Sequence, residues 1–412
     1  VYNSRRSYYR AVRILSVAIS LVLVLVLLTP KVSLADSVTS TVSVGVQPEG
    51  VAFDPTNGYV YVANSFSGTV SVIDGSTNTV VTAVTVGTGP DSIAFDSTNG
   101  YLYVANYGSG TVSVIKGSTN TVVTDVTVGT NPEGVAFDPT NGYVYVANFG
   151  SGTVSVIKGS TNTVVTNVTV GVYPIKIAFD PTNGYLYVAN EGSGTVSVID
   201  GSTNTVVTAV TVGTNPEGVA FDPTNGYVYV ANKGSGTVSV IKGSTNTVVT
   251  NVTVGSEPYA VTFDSANGDV YVTNSYSRSV SVISGSTNTV VATVAVGIGP
   301  DGAAFDPTNG YLYVANYSSD TVSVITPTSS TSTSSTTSTT STTSSTSSTT
   351  STTSTTSQTT GTSLTSSSKS GSSSGIPEFP TQLAFTLLVT VVIVMSYVFT
   401  RRGLRTDKQA PV

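Results

Sequence analysis

From Pro48 the chain reads Pro-Glu-Gly-Val-Ala-Phe-Asp-Pro-Thr-Asn-Gly-Tyr-Val-Tyr-Val-Ala-Asn. Close copies of this run return every 42 residues, anchored at Pro48, Pro90, Pro132, Pro174, Pro216, Pro258 and Pro300. A unit this short cannot bury its apolar residues alone, so each copy must pack against a copy of itself. Within one unit the segments are short and β-rich. Gly50 to Asp54 is an apolar run, and Asp54-Pro55-Thr56-Asn57-Gly58 has turn chemistry. Tyr59 to Ala63 is aromatic and β-branched, Thr69 to Ile73 alternates apolar and polar, and Thr79 to Val86 follows a second turn at residues 74–78. Four strands joined by hairpins form one antiparallel blade, and blades of this kind stack into a ring.

The two ends of the repeat region predict how the ring closes. The last copy runs through residues 321–325 and then dissolves into Ser and Thr, so it lacks a fourth strand. The missing piece lies at the other end, where residues 38–45 match residues 80–87 in pattern. The expected fold is therefore all-β, a seven-bladed β-propeller of four-stranded antiparallel blades over residues 36–326. Its N-terminal strand completes the last blade and removes an open sheet edge. An open solenoid of the same repeats would not need this offset.

The repeat wording resembles the YVTN family of β-propeller repeats, seen as Tyr61-Val62-Ala63-Asn64 and literally as Tyr271-Val272-Thr273-Asn274. The resemblance spans residues 37 to about 326 in seven in-phase copies. It implies a surface-layer or other extracellular protein of an archaeon or bacterium.

The flanking segments point to the same compartment. Arg5, Arg6, Arg10 and Arg13 precede an apolar stretch from Ile14 to Leu28, and Ser33-Leu34-Ala35 suits signal peptidase, so residues 1–35 read as a secretory signal. An uncleaved anchor is the alternative, and the segment from Ser4 to Arg10 also resembles a twin-arginine signal. Residues 327–375 are almost wholly Ser and Thr, a composition that forms a stalk rather than a core and suits O-glycosylation. Residues 376–412 carry Pro377-Glu378-Phe379, an apolar span from Leu383 to Phe399 and then Arg401, Arg402, Arg405 and Lys408. Seventeen residues of helix reach roughly 26 Å, near the lower limit for crossing a bilayer, with the basic end in the cytoplasm. This tail resembles archaeosortase sorting signals, which implies that the helix is exchanged for a lipid. A retained membrane anchor is the other reading.

Composition excludes much chemistry. The 412 residues contain no His, no Cys and no Trp. That removes Ser-His-Asp triads, imidazole ligands, thiolate nucleophiles, iron–sulfur ligation and disulfides. Residues 36–326 hold six Lys or Arg against twenty Asp or Glu, a formal charge of −14 beside −6 for the whole chain. Nucleic acid is not an expected partner for such a surface. No cofactor, metal or catalytic residue is assigned.

One end of the ring is expected to vary. The turns between first and second strands and between third and fourth strands barely change from copy to copy. The second-to-third loops and the links between blades diverge, either by drift or because this end recognises something. The candidate partner-binding face comprises five carboxylates expected around the channel mouth (Glu49, Asp91, Glu133, Glu217 and Asp301) and six aromatics (Tyr107, Phe149, Tyr173, Tyr259, Tyr276 and Tyr317). Asp54 and its six equivalents precede each turn and are read as turn-makers rather than calcium ligands. Sequons begin at Asn167, Asn251 and Asn316. The reading is a non-enzymatic cell-surface propeller that binds envelope proteins or glycans. A carboxylate-dependent hydrolase or lyase acting on polysaccharide and a purely structural lattice subunit are the rivals.

Overall fold

The computed structural model describes residues 36–328. Expectations for the secretory signal at 1–35, for nearly all of the stalk, and for the Pro-Glu-Phe motif and apolar helix beyond it lie outside the described residues. The 28 described strands fall into seven four-stranded antiparallel sheets. In the first blade these are β2 (Pro48–Asp54), β3 (Tyr59–Asn64), β4 (Thr69–Asp74) and β5 (Thr79–Thr85), hydrogen-bonded in that order. Five further blades repeat the pattern.

The seventh departs as expected. Its sheet runs β26 (Pro300–Asp306), β27 (Tyr311–Asn316), β28 (Thr321–Thr326) and then β1 (Ser37–Ser43). Ser37 pairs with Thr326 and Ser43 with Thr321, so the N-terminal strand supplies the fourth strand. The last blade also meets the first. Tyr313 Oη donates to Asn78 Oδ1 at 2.7 Å, and Asp320 Oδ1 accepts from Gln47 N–H at 2.9 Å.

The core lies between blades rather than within them. Middle strands such as β3 and β4 bury nearly every residue, whereas outer strands such as β5 expose nearly all of theirs. Each apolar cluster joins two neighbouring sheets, as where Tyr61, Val70 and Val72 pack with Leu102 and Ile115. Tyr61 is wholly buried and its hydroxyl crosses to the next blade, donating to Asn120 Oδ1 at 2.7 Å.

Asp54 turns the chain as expected, with Oδ1 accepting from Thr56 N–H at 2.8 Å and Thr56 Oγ1 at 2.6 Å. The backbone bond recurs in all seven blades, including the sixth, where Asp264 accepts from Ala266. The other oxygen of Asp54 faces Gly117 of the next blade. A Cβ there would stand 2.5 Å from it, so the turn glycine is required by close approach.

Candidate binding face and central channel

The innermost strands line the channel, and each begins at its anchoring proline. The residue after the proline therefore lies inside the strand, not in the link before it. This corrects the expected placement of the five carboxylates at an open mouth. Asp91, Glu217 and Asp301 are buried, and Glu49 and Glu133 are partly buried. The strands approach so closely that a Cβ on Gly50 would meet Asp91 O at 2.2 Å, and one on Gly302 would meet Glu49 O at 2.3 Å. Side chains crowded this tightly lose water, and the charged form of a carboxyl suffers most.

Burial, with Asp91 and Asp301 beside it, pushes the Glu49 carboxyl up to about 10. Burial and Asp91 raise Glu133 to about 9. Asp301 rises to about 8 through burial, against the pull of Lys176. Each of these carboxyls is thus pushed toward its protonated form, and the crowded channel holds less negative charge than a count of acidic residues suggests.

Lys176 is a cation of this channel that lies outside the candidate residues named from the sequence. It occupies the second position after Pro174, where other blades place Gly, Ser or Ala. It reaches two blades across to pair with Asp91 and donates to Ser92 Oγ at 2.8 Å. Burial disfavours its charge, but Asp91, Asp301 and Glu133 outweigh that and hold the ammonium protonated. The residue was detectable as the one charged side chain at a position otherwise small.

A second pair sits beside it. Lys233 Nζ lies 3.1 Å from Glu217 Oε1 and 5.1 Å from the centre of the Tyr259 ring. Burial raises Glu217, opposed by Lys233, to about 7, and its Oε2 is buried without a partner. Tyr259 belongs to this channel group: the Asp301 charge, then burial, raise its phenol well above the usual range.

The remaining aromatics lie on the end formed by the variable loops. Backbone bonds tie these loops to the links between blades, as from Tyr107 N–H to Gly89 O at 2.8 Å and from Phe149 N–H to Asn131 O at 2.9 Å. Tyr107, Phe149 and Tyr173 form an arc. Tyr107 and Phe149 are tilted at 6.3 Å, while Phe149 and Tyr173 stack at 4.5 Å with an interplanar angle of 13°. Tyr173 holds φ at 56°, where equivalent links use residues such as Gly89, Asn131 and Asn215. Gly192 leaves room for its ring, since a Cβ there would stand 2.7 Å from Tyr173 Cδ2. A bulky side chain in left-handed backbone costs about 1–3 kcal/mol and marks positions held for another purpose. Tyr317 is half-buried in the seventh blade, and Tyr276 is highly exposed in the sixth. The equally exposed Phe66 of the first blade was missed. It replaces a residue that is glycine in four other copies, which was the available signal.

The sequons divide. Asn167 and Asn251 are exposed on the outer strands β13 (Thr163–Thr169) and β21 (Thr247–Thr253). Each presents only Oδ1 inward, accepting from Ser155 or Ser239 at 2.7 Å. Asn316 is a correction. It is wholly buried, with Nδ2 donating to Thr321 Oγ1 and Ser323 Oγ, so the folded ring leaves no room for a glycan there.

A family model described as "Lactonase, 7-bladed beta-propeller" matches residues 29–206, somewhat under half of the chain. Among solved structures, the hydrazine synthase of Kuenenia stuttgartiensis is similar with a TM-score of 0.63 at 21% identity. The match covers 69% of this chain and 96% of that one. At this identity the likeness concerns the fold alone. No curated protein matches the chain.

Proposed function

We propose that the chain is a non-enzymatic, membrane-tethered propeller of the cell exterior, whose variable-loop end binds a glycan or protein partner. The observation that carries this reading is the arc of Tyr107, Phe149 and Tyr173. Three aromatic side chains from neighbouring blades are held in contact at the surface, one of them against its backbone preference. Such a strip offers a flat apolar face for the pyranose ring of a sugar or an aliphatic anchor of a protein. The opposite end repeats small polar turns and has little with which to discriminate partners. The leader, stalk and tail read from the sequence supply the placement outside the membrane.

The test is binding of the full chain to envelope glycans and proteins, compared with a variant in which Tyr107, Phe149 and Tyr173 are all Ala. Loss of binding with an unchanged melting temperature supports the reading. Unchanged binding by the triple variant removes the arc as its basis.

A second reading, prompted by the description of the family that matches residues 29–206, is hydrolysis of a lactone within the channel. Glu217, raised to about 7 with one oxygen unpartnered, is the group suited to take a proton from water as it adds to the carbonyl and to return it to the ring oxygen as the acyl C–O bond breaks. Turnover of simple lactones that is lost in Glu217→Gln would establish it.

A further inference from the structure

A seven-fold repeat is its own control: a residue that breaks the repeat against local backbone preference needs a reason that the other blades lack. Arg278 is such a residue. Its five counterparts Gly68, Gly110, Gly152, Gly194 and Gly236 all adopt φ near 63°, the left-handed region natural to glycine. Arg278 takes φ 53° there. The seventh counterpart, Asp320, has a structural reason, because its side chain accepts from Gln47 N–H. The Arg278 guanidinium has no hydrogen bond or ion pair among the described residues, and it is the only arginine within 36–328.

The surroundings explain what such a side chain is for. Between the sixth and seventh blades, on the variable-loop end, lies a groove of about 440 Å³ lined by Glu257, Ser275, Tyr276, Arg278, Ile298 and Ser318. Glu257 also holds left-handed backbone, at φ 53°. Tyr276 is 76% exposed and Ile298 45%. Tyr276 stands where four other blades have glycine. The groove thus combines a guanidinium without a partner among the described residues, a carboxylate, two hydroxyls, an exposed aromatic ring and an aliphatic wall. It lies on the other side of the ring from the Tyr107 arc.

We propose that this groove binds an acidic sugar, a uronate residue of a surface polysaccharide. The guanidinium fork matches the sugar carboxylate with two parallel N–H donors. Tyr276 offers its face to the pyranose ring, while Glu257, Ser275 and Ser318 accept from the hydroxyls. Glu257 also sets selectivity, since beside the fork it favours a carboxylate flanked by donating hydroxyls over a bare multivalent anion. The proposal deepens the binding reading by naming a ligand class, and it rests on that reading only for the protein's exposure to polysaccharide.

The deciding variant is Arg278→Gly, which restores the residue of the other blades and so relieves strain rather than threatening the fold. Short galacturonate oligomers are titrated into the full chain in detergent, with neutral galactose oligomers as the comparison. The expected result is binding of the uronate only, weakened by salt. In Arg278→Gly and in Tyr276→Ala it falls by about tenfold or more, with an equal or higher melting temperature for Arg278→Gly. No uronate binding at millimolar concentration, equal binding of the neutral oligomer, or an unaffected Arg278→Gly variant would each overturn the proposal. The Tyr107, Phe149, Tyr173 triple variant separates the two claims. Uronate binding that survives it but fails in Arg278→Gly supports the groove alone. Envelope binding lost only in the triple variant supports the arc, and it removes the groove where uronate binding is also unchanged in Arg278→Gly.

Discussion

Tyr271 Oη donates to Asp36 Oδ2 at 3.2 Å, whereas in each of the other six blades the equivalent tyrosine meets an asparagine of the next blade's last turn. The seventh blade has no such turn, because its fourth strand arrives from the N-terminus. Asp36 stands in for the missing asparagine. It also accepts from Thr328 N–H at 2.6 Å and Thr328 Oγ1 at 2.7 Å, binding the two ends of the described ring together.

Asp36→Ala leaves the buried Tyr271 hydroxyl without this acceptor and should destabilise the ring by about 1–3 kcal/mol. Asp36→Asn should lose less than Asp36→Ala, because its single carbonyl oxygen can keep either the Tyr271 hydroxyl or the Thr328 donors, whereas Asp36 accepts from both. Denaturant midpoints of the two variants, with Tyr271→Phe as the partner in a double-mutant cycle, measure the coupling. Equal losses from Asn and Ala would show that Asp36 acts through something other than this acceptor.

Removing residues 36–45 tests closure more severely. The deletion takes away β1 and exposes the edge of β28, a strand of Thr-Val-Ser-Val-Ile-Thr with β-forming residues along its length. A lower melting temperature and aggregation through that edge are expected. An unchanged melting curve would mean that the seventh blade does not need its borrowed strand.

The ring and its closure were legible because both follow from period and pattern. The 42-residue step sets the blade, and the offset between residues 38–45 and the truncated last copy sets the joint. The turn role of Asp54 was legible too, since an Asx turn is local and needs no knowledge of the neighbouring blade. The channel was not. Asp91 and Lys176 are 85 residues and two blades apart, and only the ring's curvature brings them together. The position of Glu49 was misread for a smaller reason: the strand begins at Pro48 itself, so the residue after it points into a crowded interior. Asn316 failed as a sequon because the same asparagine recurs from Asn64 onward as a buried bridge between two strands. Its repetition in all seven copies was the sign of a structural role. Arg278 was visible as a break in the repeat, but its meaning depends on the backbone angle it adopts.

Lys176 and Asp91 make a mostly buried ion pair, their side chains 16% and 11% exposed. Removing one partner leaves the other charge stranded, which costs about 3–5 kcal/mol, while removing both is much less damaging. Lys176→Met should therefore destabilise the ring strongly, and adding Asp91→Asn should recover most of the loss. Thermal melts of the two single variants and the double variant decide this. A double variant as unstable as the sum of the singles would mean that the lysine acts by packing alone.

The channel carboxyls also set how stability depends on pH, and in the direction opposite to an ordinary acidic protein. Glu49, Glu133 and Asp301 stand at about 10, 9 and 8 in the folded ring, against 4.5, 4.5 and 3.8 when unperturbed. Between the two sets of values the folded state binds more protons than the unfolded chain, so stability falls as pH rises. The contribution is complete below about pH 4 and is lost as pH climbs through the folded values. Asp269, raised by burial and by Asp36 to about 6, and Glu217 at about 7 act with the same sign. The carboxyls held low, Asp74 and Asp200, oppose this only below their ordinary value of 3.8. The ring should thus melt at a higher temperature at pH 5 than at pH 8.5, by on the order of several degrees. Glu49→Gln with Glu133→Gln should flatten the profile by raising stability at the alkaline end, because glutamine keeps the neutral form without the linkage. Melting temperatures of both proteins across this range test it, and a stability that instead rises with pH would mean that these carboxyls are ionised in the folded channel.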